Sequence, residues 1–190
     1  MGCLKLKVVA IIQARMGSTR LPGKVLMKLG SQEVLGWVVQ AARNIFGVDE
    51  VVVATSVSKQ DDPIEDWCGS NNINIYRGSE LDVLSRYWKT SVSESADVVM
   101  RLTADCPFLD SNVCATVLSL FKAEGADYAS NVSPANWPDG LDCEVMKASC
   151  LRDADREASL KIEREHVTPF IQYNRNRYKV VSISVNAESS

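Results

Sequence analysis

Apolar residues follow two rhythms along this 190-residue chain. Short, nearly unbroken runs rich in Val and Ile cover Leu6 to Ala14, Glu50 to Ser56, Ile73 to Arg77 and Asp97 to Thr103. Runs of that length bounded by turn residues predict buried strands. Between them the apolar spacing changes to three and four. Val34, Leu35, Val38, Val39, Ala42, Ile45 and Phe46 predict a helix over Gln32 to Phe46 that ends near Gly47. Further helices are expected over Asp62 to Cys68 with Pro63 in the first turn, from a Ser79/Asp82 capping box to about Val92, and over Ser111 to Ala123 after a turn at Cys106-Pro107.

Strands alternating with helices imply βαβ units, a mostly parallel sheet, right-handed crossovers and an α/β fold. Beyond Tyr128 the alternation loosens into a loop (SPANWPDG), a short strand at Cys143 to Met146, helical pieces at Lys147 to Ala158 and Ile162 to Tyr173, and a last strand at Tyr178 to Val185. No repeat or low-complexity linker interrupts the chain, so residues 1–190 are expected to form one domain. Such sheets bind ligands beyond the carboxyl ends of their strands. That rule gathers three loops on one rim: Arg15 to Lys24, Arg77 to Asp82 and Ala104 to Pro107.

Composition narrows the classes. With 46% apolar and 24% charged residues the chain is an ordinary globular one, neither disordered nor, with 10 Gly and 6 Pro, collagen-like. A net charge of −3 gives no field to draw in nucleic acid or an anionic membrane. No run of 18 apolar residues occurs, and the start, MGCLKLKVVAIIQA, lacks a signal-peptide pattern, so a cytoplasmic protein without a membrane span is expected. Leu6 stands where the myristoylation pattern needs Ser or Thr, and Asn131-Val132-Ser133 carries little weight as a sequon in an unsecreted chain. The six cysteines include no C-x-x-C pair and His166 is the sole histidine, which leaves reduced, mostly buried thiols.

The charge distribution says more than its total. Lys5, Lys7, Arg15, Arg20, Lys24 and Lys28 all precede the first acid, Glu33. Arg15-Met-Gly-Ser-Thr-Arg20-Leu-Pro-Gly-Lys24 packs three cations, two hydroxyls and two glycines into one loop after a buried strand. Glycine lets backbone N–H groups approach a phosphate, Arg supplies forked donors and Lys a compact charge, so the loop has the composition of a polyphosphate cradle. It is not a P-loop, because Gly17 to Gly23 is one residue too long and Val25 replaces the Mg²⁺-binding hydroxyl. No G-x-G-x-x-G occurs. Asp105, at the end of the fourth strand on the same rim as Arg101, is placed either to hold a hard cation such as Mg²⁺ or to form the turn before Pro107.

These segments closely resemble a known family. IIQARMGSTRLPGKVL (Ile11 to Leu26) is similar to the opening signature of cytidylyltransferases that activate acidic sugars such as acylneuraminate and 3-deoxy-manno-octulosonate, nearest to the spore coat polysaccharide biosynthesis branch. YRGSELDVLSRY (Tyr76 to Tyr87), RLTADCP (Arg101 to Pro107), DGLDCEVM (Asp139 to Met146) and EREHVTPFI (Glu163 to Ile171) follow in family order. The resemblance implies a three-layer Rossmann-like nucleotide-diphospho-sugar transferase fold with helices on both faces. It implies that the backbone around Gln13 and Ala14 contacts the cytosine and ribose of CTP, that Arg15 and Lys24 hold the triphosphate with Ser18 and Arg20 in support, and that Asp105 binds Mg²⁺. Arg77, Asp82 and Arg86 would line the nucleotide or sugar side. Asp142, Glu144 and His166 would face the sugar acid.

Family members continue past the last strand into a Thr-Val-Asp-like segment whose carboxylate joins the first Asp at the metal. This sequence ends at VSISVNAESS, so the expectation is a C-terminally shortened domain with Asp142 as the first candidate for the second metal ligand. The implied reaction is in-line attack by a sugar hydroxyl on the α-phosphate of CTP with release of pyrophosphate. Two other readings stay open: a shortened nucleotide-binding homologue without turnover, and a nucleotide-sugar-dependent glycosyltransferase, although Asp153-Ala154-Asp155, the one Asp-x-Asp, falls inside a predicted helix. Relatives of this kind often pair as homodimers through the irregular C-terminal part, where Trp137 and Pro138 suit an interface and core packing equally well.

Overall fold

A computed structural model describes residues 5–18, 20–133 and 137–183. In chain order its strands are β1 (Val8–Gln13), β2 (Lys28–Leu29), β3 (Gln32–Glu33), β4 (Glu50–Ser56), β5 (Asn74–Gly78), β6 (Val98–Thr103), β7 (Tyr128–Ser130), β8 (Glu144–Lys147) and β9 (Val180–Ser182). Its helices are α1 (Val34–Arg43), α2 (Asp62–Ser70), α3 (Val83–Ser93), α4 (Ser111–Glu124), α5 (Ala148–Glu157), α6 (Lys161–His166) and α7 (Pro169–Tyr173).

Seven strands form one sheet in the order β5-β4-β1-β6-β8-β7-β9. β1 lies parallel to both β4 and β6, and β4 parallel to β5, while β8 runs antiparallel to its neighbours β6 and β7. β1 is apolar on both faces because both are covered. Val8, Ala10 and Ile12 pack with α1, α2 and α4, whereas Val9 and Ile11 pack with α3, α5 and α7. The mostly parallel sheet with helices on both faces is the expected α/β architecture, and it sets the carboxyl ends of β1, β4, β5 and β6 along one rim.

Four local expectations are corrected. The helix expected from Gln32 begins at Val34, because Gln32 and Glu33 pair with Lys28 and Leu29 in a small hairpin, and Trp37 Nε1 donates to the Leu29 carbonyl at 2.8 Å. Its tail stops at Arg43, leaving Phe46 88% exposed. The cap of α3 is Asp82, whose side chain accepts from Ser85 N at 3.0 Å, while Ser79 Oγ accepts from Asp82 N. Tyr128–Ser130 is a strand where the sequence shows only the end of the alternation.

The helix expected over Ile162 to Tyr173 divides at Val167. That fully buried β-branched residue has φ 72° and ψ −55°, and Thr168 N donates to His166 O at 2.8 Å, which closes a positive-φ γ-turn. Pro169 then opens α7, where a missing N–H is harmless. The last strand is confined to Val180–Ser182, and Ser184 to Val185 of the predicted strand lie outside the described residues, as does the end of the chain. Asn131 is 1% exposed and locked to Leu141 O and Cys143 N, so it is a framework residue. Cys68, Cys106, Cys114, Cys143 and Cys150 are free thiols, and burial pushes the Cys68 pKa up to about 12. Among the described residues no helix is long and apolar enough to cross a membrane.

Candidate functional site

The basic loop closes on itself at Met16, whose carbonyl accepts from both Ser18 N and Gly23 N at 2.9 Å. Ser18 Oγ accepts from Leu21 N at 3.3 Å. Gly23 takes φ 72°, a conformation open to glycine at little strain, and this lets Lys24 start a single 3₁₀ turn that sinks Val25 into the core. Across the rim, Ala104 N donates to Gln13 O at 2.9 Å, so the ends of β1 and β6 stay side by side and Asp105 faces the loop.

A cavity of about 220 Å³ opens between them, lined by Gln13, Arg15, Ser18, Arg20, Lys24, Val25, Thr103, Ala104 and Asp105. Three cations face one carboxylate. Lys24 Nζ lies 2.6 Å from Asp105 Oδ2. Burial pushes the Asp105 carboxyl up, but the Lys24 ammonium outweighs it and holds the group below its ordinary value. The Ala14 N–H is spent on Ala54 O at 3.1 Å and the Gln13 carbonyl accepts from Ala104 N, so these two backbone groups serve the sheet. What β1 offers instead is the Gln13 side chain, whose Oε1 is buried with no partner among the described residues.

The other expected site residues divide. Arg77 turns away to α2: its Nε donates to Ser56 O, one terminal nitrogen reaches Ser58 O at 2.9 Å and Asp62 at 2.7 Å, and the other pairs with Glu65. Its donors are directed into the framework, and it lines neither of the two hollows that hold the other expected residues. Asp82 is likewise occupied as the α3 cap and as the bidentate partner of Arg164 on α6. Arg86 is 2% exposed behind Gly78, where an added Cβ would lie 3.1 Å from Arg86 Cγ. It donates to Ser79 O at 2.6 Å, its Nε is unpartnered among the described residues, and burial pulls its pKa down.

Asp142, Glu144 and His166 meet in a second depression of about 290 Å³, with Arg101, Thr103, Val132, Thr168, Pro169 and Gln172. Thr103 lines both hollows, so they adjoin. Glu144 is 4% exposed and held on all sides: it pairs with Arg101, and it accepts from Tyr128 Oη at 2.5 Å and from Gln172 Nε2 at 3.3 Å. Burial opposes the Arg101 charge, yet the Glu144 carboxylate holds its pKa above the ordinary value. Burial also pushes Asp142 up, reinforced by the charges of Glu144 and Asp139.

A divalent cation needs oxygen donors, and Mg²⁺ takes one or two carboxylates with phosphate and water completing the shell. Asp105 supplies one such donor beside the cationic loop. Asp142 lies in the neighbouring hollow, and among the described residues no three His, Cys, Asp or Glu side chains come together. A divalent cation here would be held by Asp105, and it would neutralise the charge of a bound phosphate chain.

A cytidylyltransferase from Leptospira borgpetersenii serovar Hardjo-bovis has the same architecture. It is 32% identical, with a TM-score of 0.90 over 97% of this chain and 79% of that one. The fold is thus that of a nucleotidyltransferase. The cytidylyltransferase family model matches residues 9–188, and the chain belongs to that family. Spore coat polysaccharide biosynthesis protein SpsF of Bacillus subtilis is 38% identical over 91% of this chain and 73% of its own length. A 3-deoxy-manno-octulosonate cytidylyltransferase of Christiangramia forsetii is 32% identical over 65% of this chain and 49% of its own length.

Sequence reasoning finds the first cavity almost complete. It misses Thr103, which links the two hollows, and Thr168 and Gln172, which reach the second through a turn that no local pattern announces.

Proposed function

We propose that this protein transfers CMP from CTP to an acidic sugar for surface polysaccharide synthesis, releasing pyrophosphate. The observation that carries the reading is the cavity in which Arg15, Arg20 and Lys24 face Asp105 across the ends of β1 and β6. Arg15 and Lys24 hold the triphosphate, Ser18 and Arg20 support it, and Gln13 Oε1 accepts from the base or ribose. The sugar sits in the adjoining hollow, where Asp142 and His166 are its exposed polar neighbours, while Glu144 acts through the Arg101 platform.

In the reaction a sugar hydroxyl gives its proton to water as its oxygen bonds to the α-phosphorus, and the bond to the bridging oxygen breaks in line to free pyrophosphate. Positioning and charge neutralisation dominate such a step. Mg²⁺ bound at Asp105 would supply further neutralisation of the phosphate charge. Lys24, now paired with Asp105, is the cation free to pass to the phosphates when the nucleotide and metal arrive. CTP supply places the protein in the cytoplasm, and Trp137 and Pro138 would form the surface of a homodimer, which sedimentation checks.

The test is pyrophosphate release from CTP and Mg²⁺ in the presence of sugar acids such as 3-deoxy-manno-octulosonate and N-acetylneuraminate. Release that depends on the sugar supports the reading. CTP binding with no release from any sugar acid favours the nucleotide-binding homologue without turnover.

A further inference from the structure

One carboxylate outside both hollows touches the loop that carries the cations. Asp61 ends a 3₁₀ turn, Lys59–Asp61, between β4 and α2, and is 3% exposed. Its Oδ1 accepts from Met16 N at 2.7 Å, the residue directly after Arg15. Its Oδ2 accepts from Ser56 N at 3.3 Å and from Ser56 Oγ at 2.5 Å, at the end of β4. Ser56 Oγ in turn accepts from Ser58 N, which ties the turn down. The same carboxylate favours the charge of buried Arg86, which Arg15 opposes. Asp61 therefore lies where the loop after β1 meets the end of β4.

A buried carboxylate is costly unless its lone pairs are filled, and here they are filled by the backbone of the loop itself and by Ser56. The Met16 carbonyl organises Ser18 and Gly23 while the Met16 N–H is held by Asp61, so this residue is pinned on both sides. We propose that Asp61 is the positioning residue of the phosphate-binding loop: it fixes the Met16 backbone and so sets where Arg15 and the following cations stand. This rests on the cavity being a phosphate site and adds a residue from outside it.

Charge gives the proposal a sign. Neutralising a carboxylate near an anion site by field alone tightens anion binding, because repulsion falls. A residue needed only for stability lowers the melting temperature and leaves the folded protein's affinity unchanged. A positioning residue weakens binding despite the relief of repulsion. The experiment is calorimetric titration of wild type, Asp61→Asn and Ser56→Ala with inorganic tripolyphosphate and with CTP, alongside thermal unfolding and amide exchange at Met16.

The expected result is about tenfold weaker binding of both ligands to Asp61→Asn, because the charge-assisted hydrogen bond that fixes the loop is weakened, with faster exchange at Met16. Ser56→Ala, which keeps the charge but loosens its seat, should show a smaller loss of affinity in the same direction and carries the test if Asp61→Asn does not fold. Equal or tighter binding by the folded variants overturns the proposal. Wild type that binds neither ligand overturns the phosphate reading itself and this proposal with it, whereas binding to wild type with no change in the variants removes only the role of Asp61.

Discussion

The two adjoining hollows are built on opposite plans. In the first, Arg15, Arg20 and Lys24 come from ten consecutive residues and face one carboxylate, with Lys24 and Asp105 both partly solvent-exposed. Behind the second, Arg101, Tyr128, Glu144 and Gln172 come from β6, β7, β8 and α7 and bond to one another, with Glu144 at the centre. The first is an open charge looking for a counter-charge. The second is a hydrogen-bonded network that shapes a wall, with Asp142 and His166 exposed beside it. Ligand binding should therefore be sensitive to the first set and folding to the second.

The sharpest break between them is Glu144→Gln, which leaves the Arg101 cation buried without its partner. Removing one member of a buried pair destabilises by about 3–5 kcal/mol, which urea denaturation would read. Arg15→Ala and Lys24→Ala should behave in reverse, losing about 1.5–3 kcal/mol of CTP affinity, roughly ten- to a hundredfold in Kd by calorimetry, with stability within about 0.5 kcal/mol. Unchanged CTP affinity in both would contradict the cradle.

Arg77→Ala sharpens the contrast within the rim. Its donors serve Ser56, Ser58, Asp62 and Glu65, so stability should fall by about 1–2 kcal/mol while CTP affinity holds. Asp142→Asn is the smallest effect. The folded protein holds the Asp142 proton more tightly than the unfolded chain does, so the charged group opposes folding as pH rises above the ordinary carboxylate range. The variant should melt slightly higher than wild type at neutral pH and no higher at pH 3, as a pair of thermal melts would show.

Legibility in the sequence follows the same division. Val8–Gln13, Glu50–Ser56 and Val98–Thr103 announce themselves because strands covered on both faces carry nearly unbroken apolar runs, and the cradle does so because its charges are close in sequence. Arg77 and Asp82 read as binding residues in YRGSELDVLSRY, and their ion pairs with Asp62, Glu65 and Arg164 are invisible there because those partners lie elsewhere in the chain. The Val167 turn is hidden because a β-branched residue rarely takes positive φ, and only tertiary packing imposes it. In the sequence Asp61 is one acid before a helix, and its role emerges only where β4 and the loop meet around it.

The proposal stands or falls with the cavity between the basic loop and Asp105 being a CTP site at which a divalent cation would join the nucleotide. It is tested most directly by calorimetric titration of the protein with CTP, with ATP, GTP and UTP as controls, each with and without Mg²⁺, in wild type and Asp105→Asn. Wild type should bind CTP selectively, and Mg²⁺ should strengthen that binding. In Asp105→Asn, where Lys24 is released from its carboxylate, metal-free binding should hold or tighten and the Mg²⁺ effect should vanish. Absence of nucleotide binding, or an Mg²⁺ effect that survives the substitution, would contradict it.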